Sequence, residues 1–126
     1  MSSTRHLISP TDPTLPAILE PYNIDPFDFD TLSRFASKAK TYAYCPYSQF
    51  RVGAALLFSK DDIVMGANVE NASYPVGTCA ERVALGTAVA SRTKDEWDMK
   101  AIRALGVSSD ISPPASPCGM CRQLSV

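Results

Sequence analysis

A single histidine, His6, is all that this 126-residue chain offers to chemistry based on imidazole. It sits far along the chain from every other candidate ligand, so any zinc site here has to be built from thiolates. Positive charge is not in excess either. Twelve Lys and Arg stand against 13 Asp and Glu, giving a net charge of -1 and a sequence pI of about 5.7. That balance excludes the basic surface that nucleic-acid backbones require. No apolar stretch approaches the roughly 20 residues needed to cross a bilayer. Residues 1–10 lack the apolar core of a secretory signal. They include Arg5 and no acid, so a mitochondrial presequence is the alternative to the expected cytoplasmic location.

What is present describes an ordinary globular chain: 45% hydrophobic and 20% charged residues, enough for one domain with a modest core. Pro10, Pro13, Pro16, Pro21 and Pro26 crowd the first thirty residues, a spacing expected to exclude helix and strand ladders and to leave residues 1–29 as an arm. From Asp30 the pattern changes. Leu32, Phe35, Ala36, Ala39 and Ala43 recur at helical spacing, predicting a helix over residues 30–44 with Asp30 or Thr31 as its cap. The apolar run 50–58 reads as a buried strand, and 63–70 as a second strand paired to it through a polar turn. Thr78 is the expected cap of a helix over 79–91, with Val83, Leu85, Ala88 and Val89 as its apolar stripe. A third strand is expected at 101–107. Ser116-Pro117 then prepares a helix that opens with Cys118. Trp97, in a polar linker, is expected to pack at the surface. This order implies an α/β sandwich.

The four cysteines are Cys45, Cys79, Cys118 and Cys121. Two disulfides are one reading of four cysteines, but one that suits secreted proteins. Two segments are more informative: Thr78-Cys79-Ala80-Glu81-Arg82 and Pro117-Cys118-Gly119-Met120-Cys121. Each puts a cysteine in the first turn of a helix, where unpaired N–H groups and the positive end of the dipole favour thiolate. Cys118 and Cys121, three apart, share one helical face. If the two helix ends meet, three thiolates converge and a fourth position stays open, the pattern of catalytic rather than structural zinc. Glu81 would then lie close to the ion without binding it, able to move a proton from water to substrate. Zinc lowers the pKa of such a water to about 7. Arg82, on the same face as Cys79, can donate to the sulfurs and offset their excess negative charge. Taken alone, CxxC is equally a structural zinc knuckle or a redox pair.

These segments, with Tyr44-Cys45-Pro46-Tyr47-Ser48, Phe50-Arg51-Val52-Gly53-Ala54-Ala55 and Asn68-Val69-Glu70-Asn71-Ala72-Ser73-Tyr74-Pro75, resemble the small all-cysteine cytidine deaminases over about residues 30–123. The resemblance implies a three-layer α/β/α sandwich with a mixed sheet, occupying residues 30–126. It implies Zn2+ held by Cys79, Cys118 and Cys121, with Glu81 as the proton shuttle. It further implies Asn68 and Glu70 on the ribose hydroxyls, Phe50 against the pyrimidine, and Ala80 and Tyr74 among the substrate-side residues, Tyr74 near a subunit interface. The reaction would be hydrolytic deamination of cytidine or deoxycytidine in pyrimidine salvage, by a homotetramer acting on a free nucleoside, with no nucleic-acid or membrane partner. Read without the neighbouring motifs, Asn68 and Glu70 are turn residues and Phe50 is core. In the resembling family the helix after Gln123 continues into further strands. The domain is therefore expected to be incomplete at its C-terminus, lacking the last strands. The motifs leave two alternatives: a catalytically silent deaminase-like subunit, or a plain metal-binding module.

Overall fold

The computed structural model describes residues 13–59, 61–111 and 118–124. Strand β1 (Val52–Ser59) is an unbroken apolar run. It does not alternate because both of its faces are covered. It lies at the centre of a three-stranded antiparallel sheet, between β2 (Asp62–Ala67) and β3 (Ala104–Ser109). Helix α2 (Pro26–Lys40) covers one face, with Leu32 and Ala36 packed on Ala55 and Leu57. Helix α3 (Ala80–Ala90) covers the other, with Ala80, Ala84, Leu85 and Ala88 on Ala54 and Leu56. Successive β1 side chains thus feed opposite layers, as strand geometry requires. The result is the three-layer α/β/α arrangement. Among the described residues, the one parallel pairing is an isolated bridge between Tyr44 and Val69.

Small residues set the spacing of the layers. Gly66, opposite Ala54 in the ladder, lies directly under the α3 backbone at Ala80 and Ala84. The helix therefore rests on bare backbone, and its first turn is held at a fixed height above the sheet.

Several boundaries differ from the sequence expectation. The proline-rich segment does form helix: α1 (Leu15–Leu19) buries Leu15 and Leu19, and a 3-10 turn follows at Glu20–Tyr22. Pro16 and Pro21 fall near the start of these turns, where no N–H is needed. The next helix starts at Pro26 rather than Asp30, because Asp25 caps it by accepting a 2.7 Å hydrogen bond from the Asp28 amide. It stops at Lys40, short of residue 44. Cys79, not Thr78, occupies the cap position of α3. The inward stripe of α3 is Ala80, Ala84, Leu85 and Ala88, while Val89 is exposed. Residues Met99–Ala101 form a 3-10 turn ahead of β3, which delays that strand by three residues. Trp97 packs edge-on to Phe58 as a part of the α3-side core. The Ser116-Pro117 helix start, and residues 1–12 of the expected arm, lie outside the described residues.

Candidate active site

A short ladder beyond the main sheet assembles the site. Val69 exchanges both backbone hydrogen bonds with Thr78, at 2.9 and 2.8 Å. On its other side the Tyr44 amide donates to Asn68 O (2.9 Å) and the Glu70 amide donates to Tyr44 O (2.8 Å). Thr78 is thereby pinned beside the strand that carries Asn68 and Glu70. The next residue, Cys79, opens α3. Ala80 and Glu81, in the first turn, are buried. Cys118 directly precedes α4 (Gly119–Leu124), which carries Cys121 buried in its first turn.

The two helix starts meet. Cys79 and Cys118 sulfurs are 3.6 Å apart, and those of Cys118 and Cys121 are 3.4 Å apart. All three ligand atoms lie within 4.8 Å of one another, the single such group among the described residues. Tetrahedral zinc with sulfurs at about 2.3 Å wants them about 3.8 Å apart, so the donor set fits zinc with only a small opening. None of the three is in a disulfide. The Cys121 thiol points its Sγ to Glu81 Oε2 at 3.6 Å. Hydrogen bonds, first from the Cys121 amide, hold the Cys118 thiol below its ordinary range. Burial, then the Cys118 contact and the Glu81 charge, push the Cys121 thiol well above it. A divalent cation among the sulfurs supplies the positive charge that such crowded thiols and carboxylate lack.

Arg82 provides part of that charge from the protein. Its Nη2 lies 3.6 Å from Cys79 Sγ and 3.4 Å from Gly77 O. The guanidinium is raised above its ordinary value, chiefly by the Cys79 contact. Its Nε is buried with no hydrogen-bond partner among the described residues.

A cavity of about 180 Å³ opens beside the sulfurs. Cys79, Ala80, Glu81 and Cys118 line it together with Asn68. Val52, Val107 and Ser109 complete the wall from the β1 and β3 side. Val52 lies in the 50–55 motif but carries no expected site role, and Val107 and Ser109 lie outside every motif. They come together because Val52 pairs with Ser109 in the β1–β3 register, a long-range pairing that local patterning does not encode. A larger cavity, about 410 Å³, lies by Glu20, Asp28 and Arg103 and contains none of the candidate residues. Size is a poor guide here, since the chemistry gathers in the smaller one.

Asn68 has a second role beside the cavity, while Glu70, Phe50 and Tyr74 are not among the described residues that line it. The Asn68 amide accepts from the Val52 N–H and donates to Phe50 O, both at 2.9 Å. It thus extends the β1–β2 ladder with a side chain while also facing the cavity. The Glu70 carboxylate is held by the 47–48 loop (Tyr47 N, Ser48 N and Ser48 Oγ). Phe50 is half-buried. Tyr74 is 80% exposed in a 3-10 turn (Tyr74–Val76).

Residues 28–126 match the family model described as the cytidine and deoxycytidylate deaminase zinc-binding region. The chain belongs to this family. It is 43% identical over 97 residues to a cytidine deaminase of Halalkalibacterium halodurans, covering 77% of this chain and 69% of that one. A probable cytidine deaminase of Dictyostelium discoideum is 45% identical over 92 residues, covering 72% of this chain but only 58% of the relative. Among solved structures, the cytidine deaminase of Burkholderia pseudomallei superposes with a TM-score of 0.68 at 41% identity, over 75% of this chain and 72% of that one. For a deaminase of this family, the sulfur cluster, the buried Glu81 and the adjoining cavity form one connected zinc site.

Proposed function

We propose that this protein is a zinc-dependent cytidine deaminase that hydrolyses cytidine or deoxycytidine to uridine or deoxyuridine and ammonia. The observation behind it is the buried Glu81 carboxylate, 3.6 Å from the Cys121 sulfur, lining the same cavity as the cluster. Cys79, Cys118 and Cys121 would hold the ion. Bound zinc supplies the Lewis acidity that makes water a nucleophile at neutral pH. Glu81 takes a proton from the attacking water, passes it to the pyrimidine N3, and serves the departing amine at C4. One water enters, the C4–N4 bond breaks, and ammonia leaves. Burial helps, because a carboxylate kept from bulk water is not short-circuited by solvent protons.

The other roles follow position. Asn68 and Glu70 would meet the sugar hydroxyls, Phe50 would pack on the pyrimidine, the Ala80 backbone would face the base, and Arg82 would balance the thiolates. Among the described residues, none lining the cavity is Lys or Arg, which favours a free nucleoside over a nucleotide with its phosphate charge. Tyr42, Tyr44, Tyr47 and Tyr74 are all more than half exposed. Exposed aromatics of this kind fit the interface of a homotetramer. The deaminase domain would span residues 30–126, with 1–29 as an arm, in a cytoplasmic enzyme of pyrimidine salvage. No helix of the described residues is long and apolar enough to cross a membrane.

The test is ammonia release from cytidine by the zinc-loaded chain. Turnover supports the proposal. One zinc per chain with no turnover contradicts it, and favours a metal-binding module or a silent subunit.

A further inference from the structure

The loop before β1 does more than connect. Gln49 adopts a left-handed φ of 55° and its amide donates to Cys45 O at 2.9 Å, closing a tight turn. That turn aims two amides at one oxygen: Tyr47 N and Ser48 N donate to Glu70 Oε1 at 3.2 and 3.1 Å. The Ser48 hydroxyl donates to the other oxygen, Oε2, and itself accepts from the Phe50 amide at 3.0 Å. A carboxylate offers about four acceptor positions. Among the described residues Oε1 is therefore filled, and the position left open is on Oε2, beside the Ser48 hydroxyl. Asn68 and Glu70, two apart on an extended segment, point to the same side, and Asn68 lines the cavity.

We propose that Ser48 is a positioning residue for sugar recognition: its hydroxyl fixes Glu70 Oε2 so that the remaining acceptor position is offered to a ribose hydroxyl. The same hydroxyl ties Glu70 to the Phe50 backbone, so the sugar-side and base-side walls are set together. The hydrogen bonds from Ser48 also hold Glu70 below the usual carboxylate range, which keeps it an acceptor. This inference rests on Glu70 being a sugar ligand.

The test is calorimetric titration of the zinc-loaded full chain with uridine and with 2′,3′-dideoxyuridine, which lacks the 2′- and 3′-hydroxyls. Wild type should prefer uridine by about tenfold or more, the range of a hydrogen bond to a charged group. Ser48 is exposed, so Ser48→Ala removes no core contact. It should cut the preference severalfold, chiefly by weakening uridine, while Ser48→Thr keeps it. Glu70→Ala should abolish it. If Glu70→Ala loses the preference but Ser48→Ala retains it, the Ser48 inference fails and the Glu70 reading survives. If Glu70→Ala retains it, or wild type shows none, the Glu70 reading fails and takes this inference with it. An equal fall for both ligands in Ser48→Ala means general damage and also overturns the proposal.

Discussion

Alanine at position 66 should damage the protein twice, once in stability and once at the metal. A Cβ built on Gly66 would lie 2.3 Å from Ala84 N, 2.5 Å from Ala80 O and 2.8 Å from Ala84 Cα. Ordinary carbon contacts sit near 3.5–4.0 Å, so α3 would have to retreat by about 1 Å. Both clashing groups are helix backbone, one turn apart, and no side-chain rotation relieves them. Overpacking of this kind costs about 1–3 kcal/mol, which for a chain of this size is a melting shift of about 4–11 °C. The same retreat carries Cys79 and Glu81 away from Cys118 and Cys121, whose sulfurs now sit 3.4–3.6 Å from their neighbours. Zinc should therefore pass more readily to a chromophoric chelator. Gly86→Ala is the matched control in the same helix, since its Cβ would meet nothing within 4 Å. It should raise stability by up to about 1 kcal/mol, because alanine is the better helix former. Thermal melts followed by circular dichroism, with zinc release measured in parallel, read both effects. A Gly66→Ala protein that melts with wild type and keeps its zinc as tightly would refute this account of how the site is held.

Two further outcomes concern single carboxylates. Asp110 receives the Arg51 amide, Nε and Nη2, and Lys40 stands 3.4 Å away; these partners, the Arg51 hydrogen bonds first, bring it from 3.8 to about 2. A depressed carboxylate stabilises the fold above its unfolded pKa and loses that effect as pH falls through its folded value. The melting difference between wild type and Asp110→Asn should thus be constant above about pH 5, shrink between about pH 4 and 2, and vanish below; a difference that persists unchanged at pH 2 contradicts this. Glu81→Gln should keep its zinc, because the residue is not a ligand, yet lose about 10²–10⁴ in turnover, because an amide cannot carry the proton.

The parts of this molecule that were legible in its sequence are those with local causes. The continuous run of β1, the helical spacing of Leu32 and Ala36, and the CxxC turn each state their geometry within a few residues. The segment before Pro26 misled for a local reason too: five prolines suggested a structureless arm, yet Asp25 followed by Pro26 is a cap and a first helical residue. In α3 the sheet chose the stripe. Ala84 is buried because Gly66 admits the backbone there, and Val89, though more apolar, faces out. What sequence could not supply is long-range. The wall made by Val52, Val107 and Ser109 depends on the β1–β3 register. The grip of Ser48 on Glu70 spans 22 residues, and the tie of Asn68 to Phe50 spans 18.

X-ray absorption at the zinc edge of the loaded protein bears most directly on the central claim. The account predicts one zinc per chain with three sulfurs at about 2.3 Å and one oxygen or nitrogen at about 2.0 Å, falling to two sulfurs in Cys79→Ser. Four sulfurs, or a sulfur count that Cys79→Ser leaves unchanged, would contradict it.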